Sequence, residues 1–195
     1  MNKKISSLIL AFIGLVIAIL IANARPVAPS AQSAPPTVYT TPPITVSGRL
    51  PKEVGLAGQK ASGEIRGSAT FTVTAANDND TVTGAFVCAL PDEARQRVAQ
   101  FTGKPLREIP ASVTLKDVVA GFQKGTGCPV VHLEIPELEM DVAGAAVKFN
   151  RIVLDVPESA EEMTKLFCAW ARQINVKRQR RGIIVAMNRL INGEQ

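Results

Sequence analysis

The chain has 195 residues, 46% of them hydrophobic and 20% charged, with a formal charge of +5 that falls to +3 once Lys3 and Lys4 are set aside. A length of this order allows one compact domain or two very small ones. Three cysteines and a single histidine are too few soft ligands for a zinc cluster, so no metal, cofactor or catalytic residue is expected.

Residues 5–24 carry no charge and follow Lys3 and Lys4, the n-region and h-region pattern of a secretory signal. The run ends Ala22-Asn23-Ala24 before Arg25, which suits signal cleavage, yet about 20 apolar residues also suffice to span a membrane as an anchor. The sequence leaves cleavage or retention in the inner membrane open. In both cases the two lysines stay inside and the remainder is translocated, so the expected location is periplasmic or otherwise extracytoplasmic. Nucleic acid is therefore not an expected partner, and membrane contact runs through residues 5–24 if the signal is uncleaved. Pro26, Pro29, Pro35, Pro36, Pro42 and Pro43 stand among Ala, Ser, Thr and Gln, so residues 25–43 read as an extended spacer.

Two alternating runs, 69–76 and 81–88, flank Asn77-Asp78-Asn79-Asp80. Folding about Asp78-Asn79 matches Ala69 with Cys88, Phe71 with Phe86, Val73 with Gly84 and Ala75 with Val82, and leaves Thr70, Thr72, Thr74, Thr81 and Thr83 on a wet face. Ala94, Val98 and Phe101 mark a short helix from Pro91 to the stop at Gly103. Leu115, Val118, Val119 and Phe122 follow helical spacing after Thr114 and Asp117, so a second helix is expected at 115–124.

From 130 to 156 the apolar residues change phase twice. Folded about Ala143-Gly144, the two changes coincide: Val131 meets Val156, Leu133 meets Leu154, Ile135 meets Ile152, Leu138 meets Phe149 and Met140 meets Val147. This predicts one long hairpin with a bend or bulge near Pro136 and Arg151, its tip packed against a different neighbour from its base. Glu139 would face Lys148, and His132 would face Asp155 as a structural pair, no serine motif accompanying them. Ser159 and Glu162 form a capping box for a helix with the stripe Met163, Leu166, Phe167, Trp170 and Ile174. The apolar run 183–187 reads as a final strand behind a glycine turn at Gly182.

Charge is segregated. Residues 128–162 hold eight carboxylates against two cations, and residues 163–195 hold seven cations against one carboxylate. Lys177, Arg178, Arg180 and Arg181 form a candidate docking surface for an acidic protein, and opposite charges on two stretches suggest head-to-tail self-association into a ring. Of the cysteines, Cys88 and Cys128 sit at strand ends and are the expected disulfide pair.

The order strand, helix from Leu115 to Lys124, Gly125-Thr126-Gly127, two strands, Val156-Pro157 opening a helix, basic turn and last apolar strand resembles the small α/β domain at the N-terminus of secretins and TonB-dependent receptors, over residues 108–188. A second register, with 91–103 as first helix and 115–127 as second, fits the same motif. The resemblance implies an accessory envelope component rather than a channel. The expected architecture is α+β: a β-hairpin layer in 44–107, then a β-α-β-β-α-β unit in 108–195, behind the signal or anchor (1–24) and the linker (25–43). The expected function is a non-enzymatic structural or docking component of a bacterial envelope assembly for secretion, pilus formation or conjugation, with envelope proteins as partners. The alternative is a periplasmic carrier of an apolar ligand, held between the bent hairpin and the Trp170 helix.

Overall fold

A computed structural model describes residues 39–51, 63–123, 128–173 and 176–194, with the side chain of Lys177 excepted. The signal segment, most of the spacer, Gly125-Thr126-Gly127, Ile174 and Asn175 lie outside the described residues. The protein is α+β: an antiparallel sheet with strands β1 (Ile44–Arg49), β2 (Glu64–Asn77), β3 (Thr81–Ala89), β4 (Ser112–Phe122), β5 (Val130–Ile135), β6 (Leu138–Val142), β7 (Ala145–Phe149) and β8 (Ile152–Pro157), with helices α1 (Asp92–Thr102), α2 (Glu162–Arg172) and α3 (Lys177–Asn192). The sheet order is β6-β7-β1-β2-β3-β4-β5-β8. Regions 44–107 and 108–195 thus contribute strands to one sheet, and the boundary expected at 107/108 falls inside it.

The long hairpin explains how the sheet curls. Its base pairs Val131 with Val156, Leu133 with Leu154 and Ile135 with Ile152; its tip pairs Leu138 with Phe149 and Met140 with Val147, all as the phase argument requires. Ala143 and Gly144 close the tip with φ of 56° and 94°, the two positive values that a two-residue hairpin turn needs. The base lies beside β4, through Gly121–Glu134 and Phe122–Leu133, while the tip lies beside β1, through Gly48–Phe149 and Arg49–Lys148. Only two residues separate β5 from β6 and β7 from β8, yet these halves stand at opposite ends of the sheet order. The sheet must therefore curl until its two ends meet at the bend, where the chain itself joins β5 to β6 and β7 to β8 into a ring.

Inside this ring lie the alternating apolar residues. Phe71, Phe86, Leu133, Met140, Val147 and Leu154 are wholly buried. Tyr39 and Phe167 meet edge-on at 5.4 Å, and Phe122 stacks at a tilt on Trp170 at 3.8 Å, which carries α2 onto the end where β4 finishes. Full burial of each large side chain contributes on the order of 2 kcal/mol.

Four expectations are corrected. Residues 115–124 are not a helix but belong to β4. Lys116 and Asp117 together face Ala85 in a β-bulge, with Asp117 at φ 58°, so the inward set steps from Val113 and Leu115 to Val118, Ala120 and Phe122 and imitates helical spacing. The first hairpin holds its expected register from Ala69 to Val73, then Thr74 bulges out, so Ala75 faces Thr83 and Ala76, not Ala75, faces Val82. Residues 183–187 are not a strand but the middle of α3, where Ile184 and Met187 are buried at helical spacing and Ile183 and Leu190 pack beside them. The capping box does not form. Helix α2 starts at Glu162, while Ser159 instead bonds Thr164 through its amide (3.2 Å) and its hydroxyl (3.0 Å). Two elements of the expected β-α-β-β-α-β unit thus change type.

Candidate functional site: the outer face of the last helix

Helix α3 has no acidic residue in its first turn and no side-chain cap at Val176. Two contacts of different kinds fix it to the sheet. Asn188 accepts the Ala76 amide at 2.8 Å and donates to the Ala76 carbonyl at 2.9 Å. Ala76 lies just beyond the Thr74 bulge, past the end of β1, so the amide side chain takes over a strand edge that β1 leaves unpaired. At the other end of the helix Arg180 is ion-paired with Asp80, which closes the first hairpin at φ 62°. The Arg180 side chain is only 14% exposed.

These anchors decide which residues face outward. Arg178, Arg181, Val185 and Arg189 are exposed and recur every three or four residues, one stripe along the helix about 16 Å long at 1.5 Å per residue. Val185 is 45% exposed in the middle of it. Among the described residues none of Arg172, Arg178, Arg181 or Arg189 takes part in an ion pair, whereas Arg66, Arg95, Arg97, Lys148 and Arg151 each have a carboxylate of this chain.

The four-residue docking surface expected from sequence is therefore split. Arg178 and Arg181 stand on the exposed stripe; Arg180 does not and is a structural anchor; Lys177 opens the helix, its side chain outside the described residues. Arg189, Val185 and Asn188 were missed. The signal was present in the spacing of 178, 181, 185 and 189, hidden by reading 183–187 as a strand.

The disulfide joins Cys128 to Cys168, with Cα atoms 5.5 Å apart, and Cys88 is free and buried. The expected Cys88–Cys128 bond is corrected by topology: Cys88 faces Val113 near the start of β4, whereas Cys128 precedes a strand that pairs with the end of β4. The stretch of β4 from Val113 to Phe122, about 30 Å at 3.3 Å per residue, lies between them. Burial pushes the Cys88 thiol up to about 11. Glu158 brings its carboxylate within 4.8 Å of both bonded sulfurs, but these are joined to each other and offer no thiolate pair.

His132 and Asp155 form the expected cross-strand pair, Nδ1 to Oδ1 at 2.6 Å on the outer face, and Glu139 lies 3.5 Å from Lys148. At the position expected to hold an apolar ligand, Trp170 and Phe167 are wholly buried against Phe122. A groove of about 320 Å³ between the start of β2 and α1 is bridged from within, Arg97 donating to the Glu64 carbonyl at 2.5 Å. Comparison with family models, with curated proteins and with solved structures returned no match.

Proposed function

We propose that this chain is an exported, non-enzymatic docking subunit of a bacterial envelope assembly, and that it engages an acidic protein through Arg178, Arg181 and Arg189 on α3. The supporting observation is that two of these charges, Arg178 and Arg181, work against their own helix, while Arg189 stands in its last turn. Lys177, Arg178, Arg180 and Arg181 crowd the first turns of α3, at the positive end of its dipole, where each cation destabilises by about 0.3–1 kcal/mol. Asp80 offsets one of them, and among the described residues the exposed arginines have no carboxylate partner. An anionic partner offsets the dipole penalty, and a formed helix presents the guanidinium groups with little further loss of backbone entropy. The signal segment and spacer supply the envelope context; the order of elements does not enter the reading.

The test uses the full chain carrying Arg178→Glu, Arg181→Glu and Arg189→Glu, solubilised from its native envelope beside the parent. The parent is expected to retain acidic envelope proteins that salt releases, and the variant to lose them with an unchanged circular dichroism spectrum and melting temperature. Equal retention by a folded variant removes the docking role of this face.

A further inference from the structure

We infer that the acidic partner of the α3 face is a second copy of this chain, which offers the opposite end of its α2 helix; the inference rests on the docking reading above. Glu158, Glu161 and Glu162 are all exposed where β8 passes into α2, and among the described residues none of the three takes part in an ion pair. Helix α2 starts at this cluster with Glu162 and, 11 residues long, ends at the exposed Arg172, a distance of about 15 Å. At that distance across solvent, Arg172 is screened from the cluster at physiological salt. Several other surface charges pair locally, Arg66 with Glu64, Arg95 with Asp92, Arg97 with Glu93 and Arg151 with Glu134. Among the described charges outside an ion pair, Arg172, Arg178, Arg181 and Arg189 lie toward and along α3 and three carboxylates lie at the start of α2, with Lys165 one turn further along α2.

Two different patches that complement each other make a heterologous contact. One copy's α3 meets the next copy's α2 start, the second copy's α3 is left free for a third, and the chain of contacts closes as a ring or continues as a filament. Val185, at the centre of the arginine stripe, supplies the apolar contact that a purely ionic surface lacks.

Sedimentation velocity on the full chain in mild detergent, at low and high salt, tests the inference with two reversed variants. One carries Arg178→Glu, Arg181→Glu and Arg189→Glu; the other carries Glu158→Lys, Glu161→Lys and Glu162→Lys. The parent is expected to self-associate, each variant alone to weaken association by at least about tenfold through like-charge contact, and an equimolar mixture of the two to recover it. Recovery in the mixture also shows that neither variant is misfolded. A parent that stays monomeric, or variants that associate as the parent does, overturns the second-copy inference. If the parent is monomeric while the arginine variant still loses its envelope partner, the docking reading survives and the partner is another protein. If the variant instead loses only binding to phosphatidylglycerol vesicles, the face is a lipid surface and the inference falls. Retention of every interaction by the arginine variant ends both readings.

Discussion

Tyr39 shows how a single side chain ties the entering chain to the core. Its ring is 6% exposed and meets Phe167 edge-on, while its backbone pairs with Val73 through an amide-to-carbonyl bond of 2.9 Å. Burial, reinforced by the nearby Glu161 carboxylate, raises the phenol from 10.0 to about 12. The fold therefore prefers the neutral phenol, so its stabilising effect is complete below pH 10 and is lost as pH rises through about 12, where ionisation must be accepted in the folded state. Cys88 acts in the same sense in a lower window, its thiol raised from 9.0 to about 11 by burial. Tyr39→Phe keeps the ring and removes the ionisation. Urea titrations across this alkaline range should show the parent losing on the order of 2 kcal/mol more than the variant; parallel profiles would mean that the phenol does not feel its burial. None of this was legible in the sequence, where Tyr39 stood inside a proline-rich spacer and only tertiary contact distinguishes it from its neighbours.

At the scale of elements, legibility followed local pattern. The long hairpin could be read because period-two alternation survives on both strands and the two phase changes cancel only in one register. Strand β4 could not, because one extra residue at Lys116-Asp117 turns alternation into apparent helical spacing. Helix α3 failed for the opposite reason: Ile183, Ile184, Val185, Ala186 and Met187 are contiguous and β-prone, and only packing shows which of them point inward. Its glycine offers a direct check. Gly182 is exposed in the middle of α3, and a Cβ built there meets nothing within 4 Å. Gly182→Ala should therefore stabilise the protein by about 0.5–1 kcal/mol, since it removes backbone entropy from the unfolded chain without a steric cost. Were the segment a turn leading into a strand, the same change would be neutral or harmful, and the shift of the urea midpoint separates the cases. The disulfide belongs to this scale too. Cys128–Cys168 closes a 40-residue loop from the start of β5 onto α2, a constraint worth about 4 kcal/mol in the chain-entropy account, and its pairing depended on which end of β4 each cysteine reaches.

For the whole molecule, the decisive feature is closure of the curled sheet at two short seams, each with two paired residues and each containing a glycine. At the seam between β1 and β7, Gly48 faces Phe149; at the seam between β4 and β5, Gly121 faces Glu134. The two glycines are not equivalent. A Cβ on Gly48 would fall 2.6 Å from Val147 Cγ1 and 3.0 Å from the Phe149 ring, and both side chains are buried, so a stiff β-branched group and a packed aromatic would have to move. A Cβ on Gly121 would come no closer than 4.0 Å to the Glu134 carbonyl. Overpacking at the first seam should destabilise Gly48→Ala by about 1–3 kcal/mol, whereas Gly121→Ala should be neutral or stabilising by up to about 1 kcal/mol. Hydrogen exchange adds location to magnitude: in Gly48→Ala the amides of β1 and β7 should lose protection while those of β5 and β8 keep theirs, because the hairpin base is held by β4 and by α2 through Phe122, Phe167 and Trp170. Uniform loss of protection over all eight strands would instead mean that the ring opens as one cooperative unit. Equal destabilisation by both alanines would show that the seams are not held apart by the packing of Val147 and Phe149.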